Sequence, residues 1–312
     1  MALSLRVPYF EGIMKETGKA KILLGSAFFI WGSIGIFVKM IPLNSGVVAF
    51  DRSIVGMLFL LLVKVLMHKK VDICGLKGSL LELCVNGALL GLNWILLFES
   101  YNYTSVATST ICYNIGPMIV VLLSPFVFKE RLTVIKVLCV LTALFGVVCV
   151  SGVFEQSGVS SSDLIGVLFG VGAAVVYAIT VIINKRLDKI DPLDKAITQF
   201  ASSTVVMFIY CLFTTRASEL KFSVITIVLL IVVGVVHTGV TYTLYFKSLP
   251  NVTSQNVAIF AYIDPVVAVV LSALVLREEM TVSTIVGAVL VIASAIFSEI
   301  YDNKQKKRTK QG

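Results

Sequence analysis

The sequence predicts an all-α membrane protein with ten transmembrane helices in two inverted five-helix repeats. The first observation is composition: the chain is 57% apolar and 14% charged, with a mean hydropathy of +0.96, which is unlike soluble domains. The second is duplication, because 12 of 40 positions are identical when 94–133 is laid ungapped over 242–281. A duplicated, strongly apolar chain is typical of secondary transporters.

Ten apolar runs account for nearly the whole chain, since a membrane-spanning helix needs about 20 such residues. The runs lie at 22–41, 46–67, 79–98, 104–128, 132–152, 163–184, 196–215, 222–246, 254–276 and 281–300. The predicted organisation is an N-terminal segment, two repeats joined by a linker, and a basic tail, at 1–20, 21–152, 153–162, 163–301 and 302–312. Nothing left over is long enough for a soluble catalytic domain, so we expect a protein that is not an enzyme.

The distribution of positive charge predicts the orientation and explains the net charge of +8. With both termini in the cytoplasm, 21 Lys and Arg residues lie on cytoplasmic segments and four lie outside, which agrees with the positive-inside rule. Because each repeat has an odd number of helices, the second enters the membrane inverted, a basis for alternating access. We expect a bacterial cytoplasmic membrane protein in contact with lipid, with no nucleic-acid partner; a homodimer is left open.

The residues that often bind metals or nucleotides form no recognisable pattern. The six cysteines are scattered without a close pair, and the two histidines, His68 and His237, are far apart in the sequence. No glycine-rich phosphate loop occurs. We therefore expect no metal, no cofactor and no direct use of ATP.

Two prolines inside predicted spans, Pro117 and Pro265, mark helix breaks at equivalent places in the repeats. A proline removes a backbone donor and frees a carbonyl that can face a cavity. Asp264, directly before the second proline, is a candidate for binding a substrate amine or a proton; a structural carboxylate is the alternative. The first break adds an amide and both breaks carry a tyrosine as candidate substrate contacts, namely Asn114, Tyr113 and Tyr262.

Other polar or aromatic residues at membrane depth are costly or unusual there and are further candidates. His237 is a candidate for proton coupling or for an interhelical hydrogen bond. Arg52 is expected to form a structural or gating ion pair with Glu99, or to attract an anionic group. Trp31, in mid-helix, is expected to line a cavity, and Asn93 to face that cavity or the helix packing. Trp94 is interpreted as an interfacial anchor.

Several short motifs, in order and duplicated, resemble the drug/metabolite transporter superfamily in its EamA-type branch. They are the W-G-S run with Lys39, the F-D-R run ending at Arg52, the Y-T-S run at 103–105 with Pro117, and the E-R-L-T run at 130–133 with its copy E-E-M-T at 278–281. The resemblance implies a central cavity between helices 1–4 and 6–9, with helices 5 and 10 at the side. It also implies transport, often export, of amino acids, metabolites or toxic compounds.

The leading interpretation is a secondary transporter, of the exporting type that the resemblance implies, for a small-molecule substrate such as an amino acid. A passive channel or facilitator and a membrane protein that transports nothing are the alternatives. An intramembrane enzyme is disfavoured because no ligand set or nucleophile–base pair is recognisable.

Overall fold

The structure, a computed structural model, consists of helices joined by short segments. It describes residues 6–128, 133–150, 160–187, 189–216, 218, 220–252, 257 and 260–309, and no strand occurs in these ranges. Within these ranges, seven helices are long and apolar enough to cross a membrane. Three shorter apolar helices, at Val134–Val150, Ile263–Leu276 and Val282–Ser298, correspond to the three remaining predicted spans. The predicted all-α membrane class is confirmed.

The helices of the two halves follow the predicted spans in order. In the first half they are α1 (Arg6–Lys39), α2 (Ser45–Leu66), the short α3 (Ile73–Leu76), α4 (Leu80–Tyr103), α5 (Val106–Tyr113), α6 (Gly116–Phe128) and α7 (Val134–Val150). In the second half they are α8 (Ser161–Arg186), α9 (Pro192–Thr214), α10 (Val224–Ile231), a π segment (Val232–Val240), α11 (Thr241–Ser248), α12 (Ile263–Leu271), a second π turn (Ser272–Leu276) and α13 (Val282–Thr309).

Short polar side chains fix where several helices begin. Asn44, before α2, accepts a hydrogen bond from the Val47 N–H at 2.9 Å. Ser105, before α5, accepts one from the Thr108 N–H at the same distance. Such caps satisfy backbone donors that a helix N-terminus leaves unpaired. Equivalent caps start α8, α9 and α10, from Ser160, Asp191 and Ser223.

The structure departs from the predicted boundaries at both ends of the bundle and within two of the spans. Both termini of the helical bundle continue beyond the apolar runs, because α1 begins at Arg6 and α13 reaches Thr309. The fourth span is two helices, α5 and α6, and the eighth contains the π segment. A count of apolar residues locates the part of a helix that crosses the membrane and not its polar extensions. The motif residues 130–132 and most of the linker, 153–159, lie outside the described residues.

One pair of helices packs at the side of the bundle, mainly against each other. α7 and α13 lie side by side, and a Cβ on Gly287 would come within 2.5 Å of the Gly146 carbonyl oxygen. In the remaining bundle, α2 packs along α9, α4 packs between α8 and α9, and α1 packs against α11 and α12. Elements of both halves therefore surround one interior.

Candidate functional site

Arg52 of α2 is a buried charged residue in this interior, with an exposed fraction of 5%. Its Nε donates a hydrogen bond to Thr238 Oγ1 at 3.0 Å. Its Cζ lies 4.3 Å from the centroid of the Trp94 ring, within the range of a cation–π interaction. Among the described residues, no acceptor pairs with its two terminal nitrogens and no carboxylate forms an ion pair with it. Those two nitrogens are available to an anionic ligand.

The π segment brings Thr238 to Arg52. A π turn widens the helix and shifts the direction of its side chains, and such turns are frequent at functional sites. Here Thr238 has no exposed surface, and its hydroxyl also donates to the Val233 carbonyl at 3.1 Å. Gly56 of α2 faces the Thr238 methyl group and leaves no room for a Cβ. Arg52 is therefore held from one side by a fixed hydroxyl.

Asp264 lies in the first turn of α12, where α1 approaches closely. A Cβ on Gly32 would come within 2.5 Å of the Asp264 carbonyl oxygen, so only glycine permits this contact. Among the described residues, no donor forms a hydrogen bond with the Asp264 side chain. Arg52 and Asp264 form no ion pair with each other. A basic and an acidic side chain, one from each half of the chain, thus lie in the bundle without an ion-pair partner among the described residues.

A series of aromatic rings runs from α1 to Arg52. Trp31 of α1 lies 5.2 Å from Tyr242 and 5.5 Å from Tyr245 between ring centroids. Tyr242 lies 5.1 Å from Phe200 of α9, and Phe200 lies 5.6 Å from Trp94. The rings run without interruption from Trp31 to the tryptophan beneath Arg52. Trp31 is half-buried within this wall.

His237 lies one residue before Thr238 and contacts a different helix. Its Nε2 lies 3.0 Å from Ser33 Oγ of α1, and its Nδ1 lies 3.3 Å from the carbonyl of Val232. The Phe37 ring covers it at 4.7 Å between centroids. The histidine is 2% exposed. Its ring makes the interhelical hydrogen bond that was one of the two predicted roles, next to the residue that holds Arg52.

The prolines lie just after breaks in the helices. α5 ends at Tyr113 and α6 begins at Gly116, so the break falls at Asn114 and Ile115, before Pro117. The Asn114 amide donates to the Thr110 carbonyl at 2.8 Å, and the Tyr113 ring lies 5.5 Å from Tyr177.

The second break has the same arrangement. Tyr262 precedes α12, with Pro265 in the first turn of that helix. Tyr262 is 8% exposed and packs in a core cluster with Ile111 and Ile115. The Tyr262 ring therefore belongs to helix packing and not to the wall that contains Trp31.

The structure corrects the expectation for Glu99 and places Asn93 in one of its two expected roles, helix packing. Glu99 does not pair with Arg52, because it accepts hydrogen bonds from Ser45 at 2.7 Å and Asn102 at 3.2 Å. It lines an apolar groove of about 740 Å³ between α2, α4 and α9, which neither Arg52 nor Asp264 lines. Asn93, predicted to face either the cavity or a helix, is 2% exposed and donates to the Ala173 carbonyl of α8 at 2.7 Å.

Several residues of the site are absent from the predicted set. Trp94 is 4% exposed and faces Arg52, so the prediction of an interfacial anchor is wrong. Thr238 and Tyr242 carry no signal in sequence, since threonine and tyrosine are ordinary in membrane helices. Their proximity to His237 was the one available hint. Within the described part of the chain, no group of three His, Cys, Asp or Glu side chains could hold a metal ion.

Comparisons with known proteins agree with this architecture. "Uncharacterized transporter YxxF" of Bacillus subtilis is 26% identical, over 98% of this chain and 96% of its own length. An "Uncharacterized transporter" of Clostridium kluyveri is 26% identical, over 78% of each chain. A crystal structure at 12% identity superposes with a TM-score of 0.64 over 88% of this chain, which shows the shared fold. The model of the EamA-like transporter family matches twice, at residues 19–152 and 164–299. The chain therefore belongs to the EamA-like transporter family.

Proposed function

We propose that this membrane transporter is a secondary active exporter of a small metabolite, such as an amino acid or a related compound, that works by alternating access in the bacterial cytoplasmic membrane. The observation that carries the proposal is the pair of opposite charges in one interior. Arg52 offers two terminal nitrogens and Asp264 offers a carboxylate, and neither is satisfied by the described residues.

The chemistry of these groups favours a zwitterion. A guanidinium binds a carboxylate in a planar, bidentate geometry, and a carboxylate binds an ammonium group by charge and hydrogen bonds. The rings of Trp31, Tyr242 and Phe200 contact one another in sequence and offer apolar faces to the rest of the ligand. Aromatic faces also attract a cation, which adds to the binding of an amine.

The proposal of alternating access depends on the origin of the site. Arg52 and Trp94 belong to the first matched half of the chain, and Thr238 and Asp264 to the second. A movement of one half against the other changes the distance between the two charges. A ligand that bridges them therefore binds the alternative arrangements with different affinity, which is what a ligand must do to shift a conformational equilibrium.

We assign the coupling proton to His237 within this proposal. The Ser33 hydroxyl lies 2.8 Å from the Ile30 carbonyl and 3.0 Å from His237 Nε2. With a neutral imidazole, Nδ1–H donates to Val232 and Ser33 donates to Nε2. With a protonated imidazole, Nε2–H donates to Ser33, and Ser33 donates to Ile30. In both states each ring nitrogen has a partner, and only the single hydrogen of the Ser33 hydroxyl changes its acceptor, from Nε2 to the Ile30 carbonyl, so proton binding needs no rearrangement of α1.

A ligand panel followed by a flux assay tests the proposal. We expect amino acids to raise the unfolding temperature of the detergent-purified protein, because ligand at 100 times its dissociation constant stabilises by about 2.7 kcal/mol. Asp264→Asn and Arg52→Gln should each reduce the stabilisation at the same ligand concentration to about half or less, because tenfold weaker binding leaves the ligand at about 10 times its dissociation constant. Glu99→Gln, which changes an acid outside the interior, should retain it.

Counterflow in proteoliposomes then separates a carrier from a pore. We expect saturable exchange of the stabilising amino acid, with Asp264→Asn slower by about tenfold or more, since a lost charge-assisted hydrogen bond costs about 1.5–3 kcal/mol. Flux that rises linearly to high concentration would favour a passive channel. Stabilisation by amino acids at the wild-type level in both Asp264→Asn and Arg52→Gln would refute the assigned site.

A further inference from the structure

Glu278 joins three elements at one end of the bundle. It lies in the segment between the second π turn and α13. Its Oε1 accepts a hydrogen bond from Lys39 Nζ, at the last residue of α1, at 3.2 Å. Its two oxygens lie 3.1 and 3.0 Å from the N–H of Val106, the first residue of α5. The hydroxyl of Ser272 also donates to this carboxylate.

Lys39 makes the same connection from the other side. Besides Glu278, its ammonium group donates to the Thr104 carbonyl at 3.2 Å, in the turn between α4 and α5. One carboxylate and one ammonium group thus hold α1 and the start of α5, from the first half, against the end of the ninth span, from the second. The predicted orientation places this end of the bundle outside the cytoplasm.

We propose that Glu278 and Lys39 form a gate that closes the extracytoplasmic end of the transport path. The inference rests on the proposed function and adds residues that contact no substrate. In the described conformation the gate is shut. Opening to the outside then requires Glu278 to release Lys39 and the N–H of Val106 together, because these bonds converge on one side chain.

The packing of the broken fourth span agrees with closure at this end. Its first part, α5, contacts α1 and α12 as well as α8. Its second part, α6, packs chiefly on α7 and α8. The break at Asn114 and Ile115 separates the two parts. Contact across the interior is therefore concentrated on the side of the break where Glu278 lies.

The backbone before Glu278 is the second, independent indication. Arg277 has φ 54° in the left-handed region, one of two such non-glycine residues in the described chain. This conformation costs free energy for a residue with a side chain, and such residues are concentrated at switches and binding sites. Here the left-handed turn ends the helix and directs Glu278 back towards Val106 and Lys39. If Glu278 loses these contacts, they no longer offset the free-energy cost of the left-handed conformation of Arg277.

A nearby helix pair, α2 and α9, does not need to separate when the gate opens and therefore serves as a comparison. α2 and α9 pack along their length and are joined near both ends. Asn44 donates to Thr215 Oγ1 at 2.7 Å at the end near the gate. Lys64 forms an ion pair with Asp194 at the opposite end. We expect α2 and α9 to move as one unit while α1, α5 and α12 separate.

Hydrogen exchange tests the gate without any substrate. In lipid nanodiscs, Glu278→Gln should raise amide exchange at the start of α5 by about tenfold or more, because a charge-assisted hydrogen bond is replaced by a neutral one. The matched control is Glu279→Gln, an exposed neighbour that should exchange like the wild type. Wild-type exchange at 104–113 in Glu278→Gln would overturn the proposal, whether or not amino acids are transported.

Cross-linking tests the same gate during transport. Lys39→Cys with Glu278→Cys, joined by a bifunctional methanethiosulfonate reagent long enough to replace the two side chains, should stop counterflow, and reduction should restore it. Asn44→Cys with Thr215→Cys, at the same end but within the static pair, should be joined by the same reagent and leave counterflow intact. Normal counterflow by the fully cross-linked gate pair would overturn the proposal, as would a gate pair that the reagent fails to join under conditions that join the control pair.

Discussion

At the scale of single residues, the guanidinium of Arg52 is held by the protein at Nε and Cζ and is available to a ligand at its two terminal nitrogens. Thr238 accepts from Nε, and the Trp94 ring lies against Cζ. The two terminal nitrogens have no protein acceptor among the described residues. A side chain fixed in this way loses little conformational entropy when a ligand binds. The arrangement suits recognition of a carboxylate better than an ion pair within the protein would.

The role of Thr238 can be isolated by two substitutions. Thr238→Val removes the hydroxyl at nearly constant volume, and we expect weaker binding of the amino acid by about tenfold, the usual effect of losing a hydrogen bond to a charged group. Thr238→Ser keeps the hydroxyl and should bind within about threefold of the wild type. Isothermal titration of the three proteins measures both values. Equal affinity in Thr238→Val and Thr238→Ser would contradict the positioning role.

The sequence allowed the charged residues of the site to be selected but not their neighbours. Arg52 and Asp264 are exceptional because ionisable groups at membrane depth are costly and usually functional. Trp94 gave a misleading signal, since its distance from the helix end matched an interfacial anchor. Glu99 was assigned as a partner of Arg52 from position alone, and the hydrogen bonds of Ser45 and Asn102 satisfy it instead. These contacts depend on how each helix is rotated about its axis. The periodicity of apolar residues does not determine that rotation closely enough to identify which side chains meet.

At the scale of helices, the contact between α1 and α12 sets the width of the site. The Gly32 backbone lies against the carbonyl of Asp264 and the side chain of Val267. This glycine belongs to the W-G-S run of the first span, and its role here is close approach. Any side chain at this position pushes Asp264 away from Trp31 and Arg52.

Gly32→Ala should therefore destabilise the protein, and Gly18→Ala is the matched control. The added methyl group at residue 32 meets backbone at 2.5 Å, whereas Gly18 of the same helix has nothing within 4 Å of its Cβ position. We expect a loss of about 1–3 kcal/mol for Gly32→Ala, the usual cost of overpacking. The control should unfold at the wild-type temperature or above it, because alanine favours helices. Thermal unfolding in detergent measures both, and equal stability would show that α1 and α12 are less closely packed.

The broken helices illustrate how far local rules extend. Pro117 predicted a break, and the break lies two residues earlier because a proline lacks the N–H that would bond the carbonyl of Tyr113 and crowds the preceding turn. The π segment had no such signal. It lies in Val-rich sequence without proline, and it arises where Thr238 and His237 meet α2 and α1 in the assembled bundle.

At the scale of the whole molecule, the repeat and the charge distribution carry most of the information about architecture. The number of spans followed from apolar length, and the duplication followed from direct comparison of the two halves. The site did not follow from either, because its side chains come from α1, α2, α4, α9, the π segment, α11 and α12. Only the packed bundle shows which of them share one interior.

The predicted orientation has its own test at this scale. With both termini in the cytoplasm, Lys221, between α9 and α10, lies outside, and Lys306, near the C-terminus, lies inside. A membrane-impermeant maleimide on intact cells should label Lys221→Cys above the background of the native cysteines and should not label Lys306→Cys. Disrupted cells should show labelling of both. Labelling of Lys306→Cys alone on intact cells would reverse the orientation and with it the side of the Glu278 gate.

The central claim is that Arg52 and Asp264 hold the two ends of one zwitterionic ligand. The most direct measurement is the dissociation constant of an amino acid and of its analogue without the amine, each for the wild type and for Asp264→Asn. If Asp264 binds the amine, the substitution weakens binding of the amino acid by about tenfold or more and leaves binding of the analogue unchanged, because the lost contact exists only with the amine. An equal loss for both ligands would contradict the claim and assign Asp264 to structure.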